Sequence, residues 1–124
     1  MTNAKNHRKT LGKQGEALAA VYLQEHGSQI VAANWRCRSG EIDLIALEQQ
    51  TLLFVEVRTR RATGRFGSAA ESVDFRKQAK VRETAQMYLH YKRQYECPVR
   101  FDVVTVEFFA DREEPVLTHI KGAF

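Results

Sequence analysis

The chain has 124 residues, of which 44% are hydrophobic and 27% charged, a balance typical of one globular domain and not of a disordered protein. Nineteen Lys and Arg against fifteen Asp and Glu leave a formal net charge of +4, which favours polyanionic partners such as nucleic acid. The apolar run at residues 17–23 is too short for a membrane span of roughly 20 residues, and a signal-peptide core is lacking at the N-terminus. We therefore expect a cytoplasmic protein without a membrane partner.

The N-terminal segment is basic and is followed by a helix. Residues 1–10 carry Lys5, Arg8 and Lys9 and no acid, which predicts a flexible basic arm ahead of a single domain at residues 11–124. From about Thr10 to residue 26 the chain is rich in Ala, Leu, Gln, Glu and Lys, and Gly27 follows. This pattern predicts the first helix.

Three strands follow that helix. They are predicted at residues 30–36, 41–47 and 52–58, with a turn at Ser39-Gly40 and a two-residue hairpin loop at Gln49-Gln50. Residues 59–70 include Gly64 and Gly67, which predicts a loop.

The second half of the chain predicts a helix and further strands. Ser72 or Asp74 is a candidate cap for a helix that runs to about residue 93, and a strand follows at residues 101–109. Residues 115–120 predict a short last strand. The helix acts as a crossover, so the strand at 101–109 should lie parallel to the strand at 52–58. The expected fold is α/β, with a mixed central sheet flanked by helices in the order αβββαβ.

The cysteines, the histidines and two large aromatic residues do not define a site in the sequence. Cys37 and Cys97 lack metal-type spacing and are interpreted as unpaired structural thiols. The four histidines are scattered, which argues against a zinc site or a Cys-His nucleophile pair. Trp35 and Tyr22 are interpreted as filling the core or its edge, although such rings can also stack on bases.

Acidic residues on the two hairpin strands form a candidate metal site. If Gln49-Gln50 is the hairpin loop, Asp43 lies opposite Glu56, and Glu41 lies opposite Arg58. Two carboxylates on opposed residues, whose Cβ atoms are about 5 Å apart, repel each other unless a cation such as Mg²⁺ lies between them. The alternative is an ordinary solvated strand face with a Glu41–Arg58 ion pair. Asp is a poor strand former and Glu56 lies in an apolar strand, and both facts favour the site.

Several spaced motifs together resemble a known family. They are Gly15-Glu16, the sequence GEIDLIA at residues 40–46, FVEVR at 54–58, Phe66-Gly67 and the helix at 77–89. The set resembles the YraN family of bacterial proteins, which are similar to archaeal Holliday-junction resolvases. The likeness covers roughly residues 11–107.

The resemblance implies a function as well as a restriction-endonuclease-like fold of the PD-(D/E)XK type. Asp43, Glu56 and the Val57 carbonyl would hold Mg²⁺, for which Mn²⁺ can substitute, and Glu16 would complete the acidic cluster. A metal-activated water would attack a phosphodiester of DNA, with branched or junction structures as substrates. The likeness to dimeric resolvases implies a homodimer.

One position departs from the nuclease pattern, which has Lys where this chain has Arg58. Arginine stays protonated, so it cannot be a general base, although it can stabilise a phosphate. Three interpretations remain open: Arg58 acts as an electrostatic stabiliser, Lys77 or Lys80 supplies the ammonium, or the site binds nucleic acid without cleaving it. The last of these is the alternative function for the protein. A third possible function is a domain that binds an acidic protein.

Basic residues near the hairpin predict a nucleic-acid-binding surface. Arg60, Arg61 and Arg65 lie in and beside the glycine-containing loop, and Lys77 and Lys80 lie on the second helix. For the helix, a merely solvated charged face is an equally good interpretation. Contacts with several phosphates would make binding weaken steeply with added salt.

Overall fold

The described part of the protein forms a five-stranded mixed sheet with a helix on each face. The structure, a computed structural model, describes residues 4–61 and 73–124. Its elements are α1 (Ala4–Glu25), β1 (Ser28–Cys37), β2 (Gly40–Glu48), β3 (Thr51–Arg61), α2 (Phe75–Lys92), β4 (Val99–Phe108) and β5 (Val116–Ile120). The strand order is β1-β2-β3-β4-β5. The predicted α/β class and element order are confirmed, and the architecture is consistent with a nuclease-like fold.

Some predicted boundaries were wrong. Helix α1 begins at Ala4 and not near Thr10, although the flexibility of residues 1–10 stays a prediction. Strand β3 does not end at residue 58, because β4 lies beside it and pairs with it as far as Arg61. The rest of the predicted loop, with Arg65, lies outside the described residues. Across the described ranges, neither helix combines the length and apolar character that a bilayer-spanning segment requires.

The hairpin register follows the prediction. Strands β2 and β3 are antiparallel, and their pairs run from Glu48 opposite Thr51 to Leu44 opposite Val55. The two-residue turn places Gln49 in the left-handed region, at φ 56°, as tight hairpin turns require. Strand β4 lies parallel to β3, and α2 forms the predicted crossover.

Each helix covers one apolar face of the sheet. On one face α1 contributes Ala19 and Leu23 to a buried cluster with residues of β2, β3 and β4, namely Leu44, Ala46, Leu53, Val55, Val104 and Val106. On the other face α2 contributes Ala85 and Tyr88, which pack with Ile42, Ile45, Leu52 and Phe54. Ile42 and Ile45 share the α2 face although they are three residues apart, so the regular alternation of β2 is interrupted between them. The interruption falls at Asp43.

The packing of α1 on β3 leads to a prediction about two helical glycines. A Cβ at Gly15 would collide with the side chain of Thr59, whereas a Cβ at Gly12 would meet nothing within 4 Å. We expect Gly15→Ala to lower the free energy of unfolding by about 1–3 kcal/mol, because α1 must move off the sheet. Gly12→Ala, the matched control, should raise it by up to about 1 kcal/mol through helix propensity. Urea denaturation measures both, and equal effects at the two sites would contradict the close approach.

Candidate metal centre

The predicted carboxylate pair lies where β2 and β3 part. The regular pairing of the two strands ends at Leu44 and Val55, and Asp43 and Glu56 are the next residues. Asp43 lies close enough to Glu56 for its charge to raise the pKa of the Glu56 carboxyl group. The Val57 amide donates to Asp43 Oδ2 at 2.8 Å, so Val57 reaches the pair through its N–H, whereas the prediction used its carbonyl. The structure thus brings the two acids together.

Glu56 is held in an unfavourable electrostatic environment. Its side chain is only 3% exposed. Burial, followed by the charge of Asp43, raises the pKa of Glu56 to about 7. Within the described residues, Glu56 Oε1 is buried and has no hydrogen-bond partner. A buried acceptor without a donor is costly, and a bound cation would satisfy it.

Asp43 shares this environment. Burial is the main cause that raises its pKa, and the charge of Glu41 adds to it. The hydrogen bond from the Val57 amide and the charge of Lys77 act in the opposite direction without cancelling the effect. Both acids therefore bind a proton more readily than usual, which indicates a deficit of positive charge at the pair.

Two cations partly offset that deficit. Lys77 Nζ lies 3.6 Å from Glu56 Oε2, reaching it from the first turn of α2. Arg58, two residues after Glu56 on β3, lies close enough for its charge to lower the pKa of both carboxyl groups. Lys80 is exposed further along α2. Of the two lysines predicted as candidates for the missing ammonium, Lys77 is therefore the one at the pair.

The position of Lys77 follows from the cap of α2. Asp74 is the N-cap and accepts a hydrogen bond from the Lys77 amide at 2.8 Å, which satisfies one of the free donors of the first turn. The other predicted cap, Ser72, lies outside the described residues. Because the cap sets where α2 begins, it also fixes the backbone from which Lys77 reaches Glu56.

Glu16 lies near the pair, and Asn34 links it to Glu41. The Asn34 amide nitrogen, in the orientation that satisfies its hydrogen bonds, donates to Glu16 Oε1 at 2.9 Å and to Glu41 Oε1 at 2.8 Å. Burial, then the charges of Asp43 and Glu41, raises the pKa of Glu16. In residues 4–61 and 73–124, no three His, Cys, Asp or Glu side chains are grouped closely enough to hold a metal ion. Glu16 thus acts on the pair by charge, at longer range than a shared ligand shell.

Sequence reasoning missed Asn34. Its backbone is in the left-handed region, at φ 51°, which Asn tolerates better than most residues. An Asn inside a predicted strand is unfavourable, and that is the signal from which it could have been found. Glu41, which the ordinary-hairpin alternative paired with Arg58, instead lies 3.4 Å from Arg36 Nε on β1.

The predicted nucleic-acid-binding residues occupy different environments. Arg60 donates two hydrogen bonds to Glu107 Oε2, at 2.9 and 3.1 Å, so much of its charge is offset within the protein. Arg61 is exposed at the end of β3, and Lys80 is exposed on α2. Arg65 lies outside the described residues.

Fold and site together define a mixed α/β protein of nuclease-like architecture with a carboxylate pair, the buried Glu56 and the half-buried Asp43, where two strands diverge. Residues 15–106 match the model of the "Uncharacterised protein family UPF0102". The chain is 46% identical over 117 residues to a UPF0102 protein of Nocardia farcinica, covering 94% of this chain and 91% of that one. It is 43% identical over 121 residues to a UPF0102 protein of Pseudomonas savastanoi, covering 97% of each chain.

A third relative, a UPF0102 protein of Chlorobium chlorochromatii, is 46% identical over 126 residues, covering 98% of this chain and 96% of that one. The chain belongs to the UPF0102 family. This confirms the resemblance to the YraN family that the motifs indicated.

Proposed function

We propose that this protein is a metal-dependent nuclease that hydrolyses phosphodiesters of DNA, with branched or junction structures as its substrate class. The observation that carries the proposal is Glu56, a buried acid whose Oε1 has no hydrogen-bond partner among the described residues. It lies beside a second acid, Asp43, and is contacted by Lys77. Buried acids whose pKa is shifted by burial and by a specific neighbour are typical of functional sites.

Asp43 and Glu56 are the residues that would hold Mg²⁺ or Mn²⁺. When bound, the ion supplies a Lewis acid and lowers the pKa of a coordinated water. The Val57 amide holds the Asp43 carboxylate in place, and the Asn34 amide holds Glu16 and Glu41 next to each other. These contacts position the acids before substrate arrives, which lowers the reorganisation that catalysis requires.

Lys77 and Arg58 supply the positive charge of the site. We assign to Lys77 the role of the ammonium that the nuclease pattern places at position 58, because its Nζ lies 3.6 Å from Glu56. Arg58 stays protonated and offsets charge that develops on the phosphate. Arg61 and Lys80 are exposed and would contact phosphates outside the site.

The alternative is a nucleic-acid-binding protein of the same fold that does not cleave. Two observations favour it: the Lys77–Glu56 ion pair already neutralises part of the site, and the described residues contain no group of three ligands. Both functions predict binding that weakens with salt. Metal-dependent cleavage separates them.

The test is a cleavage screen over linear, nicked and four-way DNA with Mg²⁺ or Mn²⁺. We expect cleavage that requires the metal, a loss of at least about 100-fold in Asp43→Ala, and a loss of about 10- to 100-fold in Lys77→Ala. Lys121→Ala, which removes an exposed lysine just after β5, is the control and should retain most activity. Cleavage that persists in Asp43→Ala would contradict the proposal, and binding without cleavage would establish the alternative.

A further inference from the structure

A cleft of about 590 Å³ opens between the end of β1, the turn into β2 and the last turn of α2. It is separate from the carboxylate pair. The described residues that line it combine aromatic rings with cations, and none of them is an acid: Trp35, Tyr91, Arg36, Arg38, Lys92 and Cys37. Rings and cations in one cleft are the groups that proteins use to bind unpaired nucleotides.

The ring of Trp35 packs against the core on one side and lines the cleft on the other. Tyr88, which is 2% exposed, meets it edge-on at a centroid distance of 5.3 Å and an angle of 88°. Tyr91 lies 6.0 Å away on the solvent side and is 65% exposed. Trp35 therefore lies at the edge of the core, where a preset ring costs little conformational entropy when a base stacks on it.

The cations of the cleft are suited to phosphates. Arg38 lies exposed in the turn between β1 and β2, and the Arg36 side chain is 74% exposed while its Nε contacts Glu41 at 3.4 Å. Lys92 Nζ lies 6.0 Å from the centre of the Tyr88 ring. An acidic peptide would satisfy these charges but would leave the aromatic rings uncovered, whereas a nucleotide uses both.

We propose that this cleft binds unpaired nucleotides of the same nucleic acid that the carboxylate pair acts on, a proposal that rests on the proposed function. Lys77 and Tyr91 lie on one helix, fourteen residues apart, which places the two sites roughly 20 Å apart along α2 at 1.5 Å per residue. That distance is about six stacked nucleotides at 3.4 Å each. The substrate class is therefore a duplex that continues into a single-stranded tail or branch.

The cleft contains its own reporter, because Trp35 is the single tryptophan of the chain. The wild-type protein is titrated, in EDTA so that no cleavage occurs, with a blunt duplex and with the same duplex carrying a thymidine tail of about eight nucleotides. We expect the tail to quench Trp35 emission and to tighten binding about tenfold. A tail of abasic sites, which retains the phosphates but lacks the bases, should lose most of that gain.

Two tyrosines supply a matched pair of variants. Tyr91→Ala should reduce the affinity for the tailed duplex to nearly that for the blunt duplex, whereas Tyr95→Ala should not change it. The two residues are 65% and 68% exposed, so both substitutions should leave the fold intact. Arg38→Ala should reduce the salt dependence of tail binding, with exposed Arg112→Ala as its control.

The possible failures are distinguishable. Equal affinity for tailed and blunt duplexes with unchanged Trp35 emission would overturn the cleft proposal and leave the nuclease proposal standing. If the abasic tail binds as tightly as the thymidine tail, the cleft contacts only the phosphates and not the bases, and the cleft proposal is also overturned. Absence of any nucleic-acid binding at low salt would overturn both proposals.

Discussion

Glu56→Gln is expected to stabilise the folded protein and, at the same time, to reduce metal-dependent cleavage by at least about 100-fold. The buried carboxyl has a pKa raised to about 7, against an ordinary value of 4.5, because of burial and the neighbouring Asp43. Glutamine has nearly the same shape without the charge. At pH 8 and without metal, the free energy of unfolding should rise by up to roughly 3 kcal/mol.

The same substitution should change the dependence of stability on pH. Between about pH 4.5 and 7 the folded wild-type protein keeps a proton on Glu56 that the unfolded chain has lost, so its stability falls as the pH rises through this range. The variant lacks this contribution. The difference between the two proteins should therefore be small at pH 5 and largest above pH 7, as measured by urea denaturation at each pH.

Two controls define the interpretation of the Glu56 variant. Glu83→Gln removes an exposed acid on α2 and should alter stability by less than about 0.5 kcal/mol. Adding Mg²⁺ at pH 8 should stabilise the wild-type protein and leave Glu56→Gln unchanged, because only a folded site with both acids binds the ion. If Glu56→Gln is less stable than wild type at pH 8, the carboxylate pair does not lack positive charge in the folded protein.

Asp102→Ala is expected to have the largest effect on stability, a loss of about 3–5 kcal/mol. Asp102 is fully buried in β4. It accepts hydrogen bonds from Arg100 at 2.8 and 2.9 Å, from His119 at 2.7 Å and from the Gly122 amide at 3.0 Å. Removal leaves the Arg100 guanidinium and the His119 ring without their shared acceptor.

The dependence of stability on pH below neutrality tests the same hydrogen bonds around Asp102. Burial alone would raise the pKa of Asp102, but the hydrogen bonds from His119, Arg100 and Gly122 hold it below its usual range. The ionised group therefore stabilises the fold above the unfolded-chain pKa of about 3.9, and this contribution is lost as the pH falls below that value. Denaturation midpoints from pH 7 down to pH 3 should show a steeper acid loss in wild type than in Asp102→Ala.

An exposed aspartate provides the comparison for Asp102. Asp111→Ala, in the turn between β4 and β5, should change stability by no more than about 0.5 kcal/mol. If Asp102→Ala costs less than about 1 kcal/mol, the buried network is not a major source of stability.

The fold was predictable from sequence to the extent that local signals determined it. The Gln49-Gln50 turn set the hairpin register, and the register brought Asp43 and Glu56 together. A helix between two apolar strands implied the parallel pairing of β3 and β4, because a crossover of that length permits it.

The remaining features depend on contacts between residues distant in sequence. Lys77 reaches Glu56 only after α2 has packed on the sheet, and Asp102 meets His119 only after β5 pairs with β4. Trp35 was predicted to lie in the core or at its edge, but its place in a basic cleft depends on where α2 ends. Helix α2 supplies Lys77 to the carboxylate pair and Tyr91 to the cleft. Local sequence patterns do not show this, because both positions depend on how α2 packs on the sheet.

Each strand of the sheet lies beside its neighbour in the chain, and β3 and β4 are the pair joined through a helix. This topology has a kinetic consequence. The β1-β2-β3 meander closes short loops and can form quickly, whereas docking of β4 closes a longer loop and should come later. Lys77 belongs to that later segment, so during folding the two acids meet before their counter-charge arrives. Refolding should accordingly be faster at pH 5.5, where Glu56 can take up a proton as it becomes buried, than at pH 8.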